Sequence, residues 1–173
     1  SSLVDRNVLI IGAGGVGQAI AHRLIPFGAE VTLVARSQRP GVVASSELPS
    51  LLPEADIVVL AVPLNMHTSG LVDDSFLSRM REGSLLVNVA RGGVVDTQAL
   101  VRHAQQGRIR AALDVTDPEP LPPEHPLWRI PGVLISPHVG GNTSAFLPRA
   151  RALVEQQISR WRSKDPLMHV VQR

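Results

Sequence analysis

The chain has 173 residues, a formal net charge of +2, 44% hydrophobic and 18% charged residues, which describes one well-buried globular domain. So small a charge, without any Lys/Arg-rich run or aromatic-studded basic patch, gives no argument for nucleic acid, and no nucleic-acid partner is expected. The absence of cysteine excludes disulfides, Cys-ligated zinc and thiol catalysis; no metal site is expected.

No apolar run approaches the roughly 18 residues that span a bilayer, and residues 1–7 lack the basic and apolar regions of a signal peptide. The expected location is therefore cytoplasmic, with no membrane partner. Aromatic residues make up only 3%, so the core must be built from Val, Leu, Ile and Ala, as buried parallel sheets are.

Short apolar runs alternate with longer amphipathic ones, the pattern of a parallel α/β sheet. Strands are predicted over 8–11, 30–34, 57–62, 85–89, 111–115 and 133–136. Helices are predicted over 16–27 (stopped by Gly28), 51–55, 75–81, 97–106 (stopped by Gly107) and 143–162, the last with Pro148 near its start. Residues 40–49 and the proline-rich 118–131 read as loops, the second with at most a short turn at Leu127-Trp128.

Gly12-Ala13-Gly14-Gly15-Val16-Gly17 matches G-x-G-x-x-G. The hexapeptide is weak evidence alone, but here it follows an apolar strand and opens a helix, the context its mechanism requires. The first glycine makes the tight turn, the second admits a pyrophosphate to the backbone, and the third packs helix on strand. The helix N-terminus then faces the phosphate charge. The predicted fold is a Rossmann-type doubly wound parallel sheet in three α/β/α layers.

The end of the second strand selects the dinucleotide. NAD binders usually place an Asp or Glu roughly 20 residues on, against the adenosine ribose. Here the strand runs into Ala35-Arg36-Ser37, with Arg39 close behind, so no carboxylate repels a 2′-phosphate and a guanidinium can bind one. NADP is therefore favoured over NAD.

Three later stretches carry polar groups at predicted strand ends: Asn88-Val89-Ala90-Arg91-Gly92-Gly93, Asp114-Val115-Thr116-Asp117-Pro118-Glu119-Pro120 and Ser136-Pro137-His138-Val139-Gly140-Gly141. Ligands of open α/β sheets sit beyond the carboxyl ends of the strands. An Arg, a carboxylate and a His gathered there suffice to reduce a 2-oxo acid: the Arg binds the carboxylate and polarises the carbonyl, the His supplies the proton, and the carboxylate orients the His. Asp117 competes with Glu119 for the last role. His67, His103 and His125 read as solvent-facing, and His22 and His169 fall in no motif.

With these motifs in order, and with Ala61-Val62-Pro63-Leu64 followed by Thr68, the chain resembles the nucleotide-binding domain of the D-isomer-specific 2-hydroxyacid dehydrogenases from about Leu3 onward. The resemblance implies Arg91 as the substrate-binding, carbonyl-polarising arginine, His138 as acid/base, Glu119 as its partner and Asp114 as the contact to the nicotinamide carboxamide. Gly12, Ala13, Gly14, Val16 and Gly17 fall on the dinucleotide loop; Val62, Pro63, Thr68, Ala90 and Gly140 fall near the cofactor. Thr116 departs from the aromatic residue often found there, which leaves the shape of the substrate pocket open.

The same resemblance implies a dinucleotide-binding domain over 1–142, then a helix and tail over 143–173 that return to a substrate domain. That domain would be formed mostly by an N-terminal segment not present in 1–173. A chain of this extent is expected to bind the dinucleotide but to show little turnover, because half of the cleft is missing. Relatives dimerise through the nucleotide domain, so a homodimer is expected. The implied reaction is hydride transfer between nicotinamide and a 2-oxo or D-2-hydroxy acid, of the glyoxylate/hydroxypyruvate reductase kind. The competing reading is a nucleotide-sensing, corepressor-like module, which would need the glycine loop but not the Arg/Glu/His set.

Overall fold

Val8, Leu9, Ile10 and Ile11 are all buried, alternately toward opposite faces of one sheet. Only a strand covered on both sides takes such a run, and it requires helices on each face. The computed structural model, which describes residues 2–168 and 170, shows this arrangement. Seven strands, β1 Asn7–Ile11, β2 Glu30–Ala35, β3 Val43–Ala44, β4 Ile57–Leu60, β5 Leu85–Asn88, β6 Arg110–Leu113 and β7 Val133–Ile135, pair in the order β3-β2-β1-β4-β5-β6-β7. Every pair is parallel, with Ile10 between Leu33 of β2 and Val59 of β4.

Helix α1, Gly15–Leu24, packs Ala21 against Val8 and Ile10 on one face. On the other, α2 (Leu48–Leu51), α3 (Asp74–Arg79) and α4 (Thr97–Gln105) contribute Leu48, Phe76, Leu77, Leu100 and Ala104 to a larger cluster around Leu9, Val58, Leu60 and Leu86. The chain runs outward from β1 through β2 to β3, then crosses back to β4. The strand order therefore reverses beside β1, and a crevice opens beyond the carboxyl ends of β1 and β4.

Several predicted elements shift for identifiable reasons. The first helix stops at Leu24 and passes through a 3-10 turn, Ile25–Phe27, because Pro26 cannot continue the α-helical ladder; Gly28, at φ 78°, closes it. Residues 40–49 are not all loop: Val43 and Ala44 pair with Val34 and Ala35 as β3, and Pro49 enters the first turn of α2, where a missing N–H costs nothing. His103, expected on the surface, is buried at 8% exposure because it shares the inward face of α4 with Ala99, Leu100 and Ala104. His125 caps the 3-10 turn Pro126–Arg129, its Nδ1 accepting from Leu127 N–H at 3.3 Å.

The chain divides into two compact units, 1–138 and 139–173, and the sheet lies wholly in the first. In the second, helix α5, Phe146–Arg162, starts three residues later than predicted, which places Pro148 in its first turn. The segment after α5 folds back along it: the Gln157 side chain bonds both the N–H and C=O of Met168, and Arg160 Nε donates to Pro166 O at 2.6 Å. His169 and Val171 of this segment lie outside the described residues.

Candidate active site

The glycine loop connects β1 to α1 at the switch point. Gly12 holds φ 116°, and a Cβ there would lie 2.3 Å from the Ala61 carbonyl oxygen, so the turn runs against β4 only without a side chain. A Cβ on Gly17 would come within 1.8 Å of Gly12 O; its absence seats α1 on the loop. Gly14 differs, since a Cβ built on it meets nothing within 4 Å. The space beside it is open, and the fold does not fill it. Gly14 also caps α1 with no side-chain bond, and no acidic residue stands in the first turn, so the N-terminal N–H groups remain directed at that space.

On the β2 side lies a cavity of about 680 Å³, lined by the glycine loop, by Ala35, Arg36, Ser37 and Arg39, and by Val62, Pro63, Asn65, His67 and Thr68. No Asp or Glu is among its lining residues. Arg39 is anchored across it: the 39–42 turn is closed by two backbone bonds, and Nη2 donates to Ala13 O at 3.0 Å. The opposite wall is a compact turn after β4. There Thr68 Oγ1 donates to Pro63 O at 2.6 Å, and Asn65 Oδ1 accepts from His67 N–H at 2.9 Å. Thr68, singled out by sequence, thus builds the turn as well as facing the cavity.

On the β5 side a second hollow is lined by Val16, Val62, Pro63, Val89, Ala90 and Arg91. Ala61, Val62 and Pro63 border both spaces, so one crevice crosses the switch point, with the three cation- and hydroxyl-bearing β2-loop residues at one end and Arg91 at the other. Such a crevice, with open amides at its centre, fits an adenine dinucleotide.

Arg91 sits on a turn fastened from beneath. Buried Asn88 accepts from Ala90 N–H at 3.0 Å and donates Nδ2–H to Arg91 O at 3.1 Å, while the Arg91 guanidinium rests on Ala90 O. The next residue, Gly92, packs against the Thr116–Asp117 peptide and joins this turn to the segment carrying Glu119. Thr97, the first residue of α4, ties the same segment down by donating to Asp117 O at 2.8 Å. Glu119 Oε1 in turn lies 2.6 Å from His138 Nδ1, and Ser136 Oγ donates to Asp114 Oδ1 at 2.6 Å. His138 holds φ 54°, a left-handed conformation that turns the chain directly after β7.

Arg91, Glu119 and His138 are therefore linked through consecutive contacts at the carboxyl edge of β5, β6 and β7, and the pairing partner of His138 is Glu119. Asp117 is exposed and offers its backbone carbonyl, not its carboxylate, to the framework. Gly140 belongs to the second unit. Sequence reading missed Asn88, Thr97 and Ser136 as supports, and His67, Asn65, Ser45 and Leu48 as cavity wall. Asn88 and Ser136 lay inside motifs already marked. Nothing local announces that Thr97 reaches a carbonyl 20 residues away.

Comparison with known proteins agrees with this architecture. Residues 1–140 match the family described as D-isomer specific 2-hydroxyacid dehydrogenase, NAD binding domain. The human glyoxylate reductase/hydroxypyruvate reductase is 40% identical over 148 residues, which is 82% of this chain and 45% of that protein. An NADPH-dependent glyoxylate/hydroxypyruvate reductase from Sinorhizobium meliloti, solved with NADP and sulfate, superposes with a TM-score of 0.91 at 31% identity over 99% of this chain and 57% of its own. A D-isomer specific 2-hydroxyacid dehydrogenase from Xanthobacter autotrophicus, solved with NADPH, gives 0.90 at 33% identity, covering 99% and 73%. The chain spans about half the length of the curated relatives it matches. By its glycine loop, its switch-point crevice and this match, the chain belongs to the D-isomer specific 2-hydroxyacid dehydrogenase family, as its NAD-binding domain.

Proposed function

We propose that this chain supplies the dinucleotide site and the catalytic Arg91, Glu119 and His138 of an NADP-preferring reductase that interconverts 2-oxo acids, such as glyoxylate or hydroxypyruvate, with D-2-hydroxy acids. The observation that carries this reading is the 2.6 Å pairing of His138 Nδ1 with Glu119 Oε1 on the edge of the sheet where the crevice opens. A carboxylate oxygen only accepts, so Nδ1 carries the hydrogen and Nε2 is the nitrogen left for proton transfer to substrate. A nucleotide sensor would have no use for that pair.

When bound, the reduced nicotinamide supplies hydride to C2 of the oxo acid. Arg91 holds the substrate carboxylate and draws charge onto the carbonyl oxygen, and His138 delivers the proton there. Asp114, steadied by Ser136, orients the nicotinamide amide. Arg36, Ser37 and Arg39 receive the 2′-phosphate in a wall without carboxylates, which supports NADP over NAD, as do the neighbours solved with NADPH and NADP.

Direct titration of the chain with NADPH and NADH tests the cofactor; equal or tighter NADH binding overturns the preference. In the assembled dehydrogenase, His138→Ala should cut glyoxylate reduction by about 10²–10⁴-fold while NADPH binding survives; unchanged turnover overturns the role of His138. Alone, the chain should turn over slowly, because Arg91, Glu119 and His138 are exposed and water competes for each. By family resemblance the assembly is a cytoplasmic homodimer joined through this domain, a point that light scattering checks.

A further inference from the structure

We infer that His67 is a third phosphate-recognising side chain of the cavity, facing the adenosine 2′-phosphate from the side opposite Arg36 and Arg39; this rests on the NADP reading above. Arg36, Ser37 and Arg39 follow β2, whereas His67 follows β4, and β1 with its glycine loop runs between those two strands. The cavity is thus walled on both flanks by nitrogen-bearing side chains.

Two observations fix His67 there. Its backbone N–H is held by Asn65 Oδ1, inside a turn closed by the bonds of Thr68 Oγ1 to Pro63 O and of Asn65 N–H to Thr68 Oγ1, so its position is set by the turn and not by its own ring. His67 is exposed and is among the residues that line the cavity.

The charged or titratable groups of the cavity wall are Arg36 and Arg39 from the segment after β2 and His67 itself from the turn after β4; the glycine loop, Ser45 and Leu48 contribute none. With no carboxylate among the lining residues, two guanidinium groups and an imidazole in one wall call for a ligand bearing more than one negative charge, as a phosphomonoester does. Protonation adds a charge to an imidazole, so its share of the recognition should be larger in acid than in base.

Calorimetric titration of the full chain with 2′,5′-ADP and with 5′-ADP, at pH 6 and pH 8, tests this with ligands that differ only in the position of one phosphate. The wild-type chain should prefer 2′,5′-ADP. His67→Gln should lower that preference by about twofold to fivefold at pH 6 and by less at pH 8, with 5′-ADP affinity unchanged. His67→Glu should lower it further at both. Referring each value to His67→Gln removes the titration of the ligand's own phosphate, which is common to both proteins.

If the preference is the same in wild type and both variants, His67 has no part in it and the NADP reading stands. If 5′-ADP weakens as much as 2′,5′-ADP, the ring serves the adenine and the phosphate assignment is overturned. If the wild type shows no preference at all, the NADP reading fails and this inference falls with it.

Discussion

Gly92 packs against the carbonyl of Thr116 so closely that a Cβ on it would lie 1.9 Å from that oxygen and 2.1 Å from its carbon. The partner is backbone, so no side-chain rotation can relieve the clash. The contact joins the turn carrying Arg91 to the segment carrying Glu119. Gly92→Ala should therefore force the two apart, costing about 1–3 kcal/mol or more and lowering Tm by roughly 2–4 °C per kcal/mol for a chain of this size. Gly93→Ala is the control: its Cβ would meet only the Leu64 methyls, at 3.4 and 3.6 Å, and Asp117 Oδ2 at 3.7 Å. Thermal melts of the two variants should differ clearly; equal melts would mean that the joint is not rigid.

Asn88 is 1% exposed, and its amide is spent on two backbone groups of the Arg91 turn, Ala90 N–H and Arg91 C=O. Asn88→Ala leaves the buried Ala90 N–H without its acceptor, at a cost of about 1–3 kcal/mol. Asn88→Asp keeps that acceptor but sets a second oxygen against Arg91 O in place of the donor. Both variants should lower the urea midpoint, with the aspartate no better than the alanine. A midpoint within error of wild type for Asn88→Ala would show that water replaces the amide.

The strands were legible because each carries its own signal. Val8 to Ile11 and Ile57 to Leu60 are apolar on both faces and could pair only in a covered sheet. The glycine fingerprint was legible because its positions have different physical duties: Gly12 and Gly17 show close backbone contacts that exclude a Cβ, and Gly14 stands against open space. Strand β3 was not: two residues, Val43 and Ala44, are too few for a period, and their pairing is decided by β2. His103 could have been placed, since it lies four residues after Ala99 and three after Leu100, on the apolar stripe of α4. His67 was out of reach, because its place in the cavity wall depends on strand order and not on anything within its own turn.

Acid should weaken the chain through Asp74. The guanidinium of Arg102 donates to Asp74 Oδ1 at 2.9 Å and is the main reason its carboxyl titrates below the ordinary value; desolvation opposes this in part, and His103, 3.3 Å away, adds to it. A carboxyl depressed in the folded state contributes stability that is present above its unfolded value, near 3.8, and is lost as pH falls through the lower folded value. Wild type should thus be more stable than Asp74→Asn at pH 6, and the difference should shrink below pH 4 toward pH 2. Denaturation midpoints measured across that range check it. A difference that persists unchanged to pH 2 would assign the effect to packing, not to charge.

The glycine loop allows folding and binding to be separated experimentally. Gly17 and Gly14 lie three residues apart, yet a Cβ on Gly17 would sit 1.8 Å from Gly12 O, whereas one on Gly14 meets nothing within 4 Å. Gly14 also has φ −83° and ψ −170°, a backbone that alanine adopts without strain. Gly17→Ala should therefore destabilise the fold by about 1–3 kcal/mol, the usual cost of overpacking, because α1 must lift from the loop. Gly14→Ala should melt at or slightly above wild type, since alanine narrows the unfolded ensemble by about 0.4–1 kcal/mol. The methyl group of the Gly14 variant would instead occupy the space open to the pyrophosphate, so NADPH affinity should fall by about tenfold or more, equivalent to at least ~1.4 kcal/mol. Melting curves and NADPH titrations on the same two proteins decide the matter. If Gly14→Ala binds NADPH as wild type does, the pyrophosphate does not approach the loop at this residue, and the dinucleotide lies differently in the crevice.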